Sequence, residues 1–156
     1  MPGIVEARLR ELGIEIADAP SPAANYVPYT TSGNLVFVSG QGTLRDGELR
    51  YIGKLGREFT IDEGYQAARI CAVNVLAQLR NACGGDLDRV TRVLKICGFV
   101  NSMPDFTAQP KVVNGASDLF VEVFGEIGRH ARIAIGAPVL PDDIAVEVEA
   151  IFEIRP

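Results

Sequence analysis

From Ile144 to Arg155 apolar and polar side chains alternate. Ile144, Val146, Val148, Ala150, Phe152 and Ile154 fall on one side, and Ala145, Glu147, Glu149, Ile151, Glu153 and Arg155 on the other. Successive side chains of a strand point to opposite faces, so this pattern calls for a strand with one face against a core. Two helical segments are available to cover that face. Residues 60–83 repeat Ile61, Tyr65, Ala68, Ala72, Val75 and Leu79 at three- and four-residue spacing. They open on Thr60-Ile61-Asp62-Glu63, a capping-box pattern, and stop at Gly84-Gly85. Residues 111–124 carry Val112, Ala116, Leu119 and Val123 on one side, with Pro110 near the start, where a missing amide proton is tolerated.

The remaining segments complete an α+β plan. Residues 34–39, 90–100 and 131–139 read as strands, Asp46-Gly47 as a hairpin turn, and residues 4–12 as a short helix stopped by Gly13. The order is ββαβαββ, a mixed sheet with two helices on one face plus the short N-terminal helix. A chain of 156 residues suits one domain, with the N-terminal helix and loop in 1–25 and a core in 26–155. Two helices cover one sheet face only, so the other must meet water or a partner.

Composition narrows the chemistry. No apolar run reaches transmembrane length, and the start MPGIVEARLREL lacks the basic opening of a signal peptide, so a cytoplasmic protein is expected. Cys71, Cys83 and Cys97 are widely spaced and His130 is the only histidine, which indicates neither a disulfide framework nor a metal site. No cofactor is expected. A net charge of −5 argues against non-specific nucleic-acid binding. Arg45, Arg50, Lys54 and Arg57 form a loose basic stretch, read as a solvated loop.

Four segments, in order, resemble the RidA/YjgF family. Asn34-Leu35-Val36-Phe37-Val38-Ser39-Gly40-Gln41 is similar to its first core strand. Leu87-Asp88-Arg89-Val90 with Lys95 and Phe99-Val100 is similar to its middle strand. Asp105-Phe106, Asn114 and Phe120 resemble the entry to its second helix. Arg132, Leu140-Pro141 and Val146-Glu147-Val148-Glu149-Ala150 resemble its C-terminal signature. The likeness spans about residues 26–155. Gly128-Arg129-His130-Ala131-Arg132 and Asn114-Gly115-Ala116-Ser117-Asp118-Leu119-Phe120 look like a longer branch of the family. The segment before Asn114 is longer than in the best-known members, the loop from Pro28-Tyr29 to Gly33-Asn34 is shorter, and Ala134 stands where they often carry cysteine.

The resemblance implies a chorismate-mutase-like fold and a homotrimer with clefts between subunits. It also implies hydrolysis of reactive 2-imino and 2-enamino acids to 2-keto acids and ammonia. Other members act as ribonucleases or translation inhibitors, and a non-catalytic binder of small carboxylates is a third reading. By the same resemblance Glu147 is the catalytic candidate, and Arg132, Tyr29, Ser39, Gly40, Asn114 and His130 are candidates for substrate binding. A guanidinium fork suits a carboxylate, and a carboxylate can deprotonate water for attack on an iminium carbon. Each has a structural alternative: an ion pair for Arg132, a solvated face for Glu147, a tight strand exit for Ser39-Gly40, a helix cap for Asn114 and a packed ring for His130.

Overall fold

The computed structural model describes residues 3–19 and 24–156; Pro20 and Pro22, in a proline-containing stretch over 18–29 whose sequence reads as turn-rich, lie outside the described residues. The chain forms α1 (Ile4–Glu11), β1 (Tyr29–Ser32), β2 (Leu35–Gln41), β3 (Leu44–Arg45), β4 (Glu48–Leu49), α2 (Ile61–Ala82), β5 (Val90–Asn101), α3 (Gln109–Phe124), β6 (Ala131–Ala137) and β7 (Val146–Ile154). The main sheet has the order β1-β2-β7-β5-β6, antiparallel except for the β5–β6 pair, which α3 joins. This is the expected α+β chorismate-mutase-like layer. No helix of the described residues is long and apolar enough to cross a membrane.

The Asp46-Gly47 hairpin forms, with both residues in the left-handed region (φ 52° and 77°), but it builds the separate β3–β4 ribbon. The first hairpin of the main sheet is β1–β2, turning at Gly33. The helix predicted over 111–124 begins two residues earlier, with Pro110 inside its first turn. The final strand starts at Val146 rather than Ile144; Ala145 instead donates to the Tyr51 carbonyl in the loop before α2 and accepts from the Asn101 amide at the end of β5.

Helix α2 starts where its capping box predicts. Thr60 Oγ1 accepts from the Glu63 amide at 3.3 Å, and Glu63 reaches back to the Thr60 amide at 3.4 Å. Helix α1 has no capping side chain of its own. Asp88, far along the chain, takes that place by accepting from the Ile4 and Val5 amides at 2.9 and 2.8 Å, which ties α1 to the start of β5. One core lies between the helices and the sheet. Val146, Val148, Ala150, Phe152 and Ile154 are buried there, and the Phe120 and Phe152 rings meet edge to face at 5.8 Å. All three cysteines are free thiols.

The opposite sheet face has no helix. Phe37, Ile133 and Ile135 stand 39%, 46% and 41% exposed on it, beside half-buried Leu35, Cys97, Phe99 and Ile151. Lys95 and Glu149 interrupt this apolar surface.

Where α2 crosses α3, a β-carbon on Gly115 would lie 2.0 Å from the Tyr65 carbonyl oxygen. That atom is backbone and cannot swing aside. Gly115→Ala is expected to lower the unfolding free energy by about 1–3 kcal/mol, as overpacking does. Thr60→Ala, which removes the cap, should cost about 1 kcal/mol. Urea titration followed by far-ultraviolet circular dichroism measures both.

Candidate functional site

Two groups of polar residues stand out, on opposite faces of the sheet. The first surrounds Glu147. A bulge falls in β2: Val38 pairs with Ala150 but Gln41 with Val148, so Ser39 and Gly40 together take up an extra position. The bulge keeps Val36, Val38 and Gln41 all buried despite their uneven spacing. The Glu147 carboxylate lies where a Gly40 side chain would be, since a β-carbon there would come within 2.5 Å of Glu147 Oε1. The missing side chain at Gly40 thus leaves room for the Glu147 carboxylate against the β2 backbone.

The carboxylate opens into a cavity of about 210 Å³ framed by Tyr26, Pro28, Gln41, Asn74, Asp142 and Ile144 among others. Glu147 is half-buried and accepts no hydrogen bond from the described residues. Burial, and then the neighbouring Glu149, push its pKa above the usual carboxylate range. Such a carboxylate is a stronger base than an exposed one, which suits proton transfer near neutrality.

Ser39 does not present a free hydroxyl. Its Oγ donates to the Val27 carbonyl at 2.8 Å and its amide to Pro28 at 2.9 Å, clamping the chain that walls the cavity. Tyr29 pairs with Val38 and packs against the core; Tyr26 and Pro28, not Tyr29, line the cavity.

The second group surrounds Arg132 at the start of edge strand β6, on the α3 side. Arg132 Nη1 donates to Asn114 Oδ1 at 2.7 Å and to Ser117 Oγ at 3.2 Å. Asn114 lies inside α3 and does not cap it. Ser117, which sequence reasoning passed over, stands one turn further along the same face. Arg132 forms no ion pair among the described residues, which leaves Nε and Nη2, the bidentate edge of the fork, open to a ligand.

His130 supports this arrangement. Its Nδ1 lies 2.6 Å from the Gly128 carbonyl, which can only accept, so Nδ1 carries the proton. Nε2 then accepts from the Ser117 hydroxyl at 2.9 Å, while the ring meets Phe120 edge to face at 6.2 Å. The bonds run Arg132 to Ser117 to His130 to Gly128. His130 is thus both the packed ring and a pocket neighbour.

Arg132 and Glu147 do not meet within one chain. Arg132 pairs with Ile96 and points to α3, whereas Glu147 pairs with Phe99 and leans toward β2. Two strand spacings and three residues of offset separate them, roughly 10 Å in each direction, on opposite faces.

Lys54 departs from the solvated-loop expectation. It is half-buried, with Nζ donating to Asn101 Oδ1 at 2.5 Å and to the Pro138 carbonyl, while Asn101 in turn donates to Asp143 Oδ1 at 2.8 Å. No group of three His, Cys, Asp or Glu side chains among the described residues is placed to hold a metal ion.

Burial and the Gly128 bond act on His130 in opposite senses. Burial dominates, Arg132 adds to it, and the pKa falls below 6.5. The folded state therefore favours the neutral ring: that contribution is complete above the unfolded value and is lost as pH falls through the lowered one. Because His130 is the only histidine, a proton NMR titration yields a single imidazole curve. Its midpoint is expected below 6.5; a midpoint above 6.5 would contradict the neutral Ser117–His130 arrangement.

Residues 6–153 match the family model described as "YjgF/chorismate_mutase-like, putative endoribonuclease". Protein TCP17 of Trypanosoma cruzi is 51% identical over 154 residues, covering 98% of this chain and 96% of its own. The crystal structure of Atu1372 from Agrobacterium tumefaciens superposes with a TM-score of 0.91 at 48% identity, covering 97% of this chain and 92% of that one. That of RidA from an Antarctic Psychrobacter gives a TM-score of 0.60 at 26% identity, covering 88% and 94%.

Proposed function

The chain belongs to the YjgF/chorismate mutase-like family, and from that premise we propose that it is an imine deaminase, hydrolysing 2-imino acids to 2-keto acids and ammonia. The observation that carries this reading is Glu147, a half-buried carboxylate without a hydrogen-bond donor among the described residues, lining a cavity. Kinship with a RidA structure supports the same class of reaction.

The chemistry needs little else. A protonated imine is already electrophilic. Glu147 takes a proton from water as the water oxygen bonds to the imine carbon, and the C=N π pair moves onto nitrogen. Protonated Glu147 passes that proton to nitrogen. The hydroxyl then loses its proton to Glu147 as C=O forms and the C–N bond breaks, releasing ammonia. Arg132 holds the carboxylate of the substrate through Nε and Nη2.

Since Arg132 and Glu147 lie on opposite faces, one site combines them when Arg132 of one copy meets Glu147 of the next. The assembly we propose is a homotrimer closed through the helix-free apolar face. A ribonuclease reading draws less support: the described lining of the cavity beside Glu147 contains no lysine or arginine to hold a phosphate backbone.

Arg132→Ala should weaken binding of 2-ketobutyrate at least about tenfold, measured by calorimetry. Glu147→Gln should retain that binding while turnover falls about 10²–10⁴-fold. With the wild type, the rate should fall as pH drops through the raised pKa of Glu147, and Glu147→Gln should lose that acidic limb. Ammonia release from imines generated by an amino-acid oxidase reads the rates. Keto-acid binding without any rate above buffer would leave a carboxylate-binding protein.

A further inference from the structure

The cavity beside Glu147 has an uneven chemistry. Its described lining contains no lysine, arginine or histidine. Asn74, only 9% exposed in the middle of α2, donates both Nδ2 protons to the backbone, to Gly42 at 3.0 Å and Leu44 at 2.9 Å. Those partners can only accept, so they fix the amide orientation and turn Oδ1 away from them. Asn74 Oδ1 receives no hydrogen bond from the described residues, yet no fully covered side-chain oxygen among them lacks a partner. Oδ1 therefore keeps open surface, and the open space Asn74 borders is this cavity.

Gln41 repeats the arrangement. It is 8% exposed, and Nε2 is fixed by the Ser39 carbonyl at 3.0 Å, leaving Oε1 without a donor among the described residues. At the rim Asp142 carries an unpaired carboxylate in the left-handed region, φ 57°, where backbone strain marks a shaped loop. With Glu147 these make two neutral and two anionic acceptors around one space.

The geometry points to a cationic nitrogen group with several N–H donors, a guanidinium or an alkylammonium, as the occupant of this cavity. This deepens the deaminase reading and rests on it for the reaction. The carboxylate of the substrate lies toward Arg132, and its far end carries a basic group into the space bounded by Asn74, Gln41 and Asp142. Substrates would then be imines of basic amino acids, not short apolar ones. A neutral alkyl end would leave buried acceptors without donors, a source of strong discrimination.

Calorimetry with 4-guanidinobutanoate and its uncharged isostere 6-methylheptanoate tests this, because the two share a carboxylate and a shape. The guanidino acid is expected to bind at least about tenfold more tightly. Asp142→Asn should shrink that ratio several-fold; asparagine tolerates the left-handed backbone, so the loop keeps its shape. Asp46→Asn, at an exposed left-handed aspartate outside the cavity, should keep the wild-type ratio. Equal binding of the two acids by the wild type, or a ratio insensitive to Asp142→Asn, overturns the inference. A preserved ratio in a protein that releases no ammonia from any imine overturns the deaminase reading and leaves the cation site standing.

Discussion

Packing of α2 and α3 against a single face of a five-stranded sheet governs the rest of the molecule. The helices meet closely enough that Gly115 sits against the Tyr65 carbonyl, and together they bury every inward residue of β7. The other face keeps Phe37, Ile133 and Ile135 at the surface. Burying such residues is worth roughly 25 cal/mol per Å² of apolar surface removed from water, a gain that would favour the proposed trimer.

The same one-sided arrangement separates the charges. Arg132 is drawn to the helix side by Asn114 and Ser117, whereas Glu147 reaches over Gly40 on the far side of β7. Neither partner neutralises the other within a chain. Glu147 is left with burial and a like charge as its main neighbours, which raise its pKa, and Arg132 keeps half of its fork unused. The cost within one chain falls on Glu147, which is half-buried without a counter-charge; Arg132 is exposed and solvated.

Much of this was legible in the sequence because it rests on periodicity. The alternation in 146–154, the capping box at Thr60 and the apolar stripes of α2 and α3 each follow from local spacing, and they account for the sheet, both helices and the covered face. The β2 bulge was not legible, since an extra residue in one strand shows only against its partner, and with it the burial of Gln41 stayed hidden. Asp88 as the cap of α1 and Lys54 as a staple to Asn101 depend on contacts across dozens of residues. The candidate residues came from family likeness, and geometry redistributes their parts: Ser39 clamps a wall, Tyr29 packs against the core, and His130 steadies Ser117 beside Arg132. Asn74 did carry a signal, an amide inside the otherwise apolar run from Cys71 to Ala77.

In the proposed trimer, one site takes Arg132 from one copy and Glu147 from its neighbour. Subunit mixing tests it most directly. Arg132→Ala and Glu147→Gln chains, each inactive alone, are unfolded together, refolded as mixed oligomers and assayed for ammonia release. In a ring of heterologous interfaces about a quarter of the sites would then hold both native residues, and activity should return to roughly that fraction of wild type. Mixed oligomers, verified by native mass spectrometry, that stay as inactive as either variant alone would contradict the account.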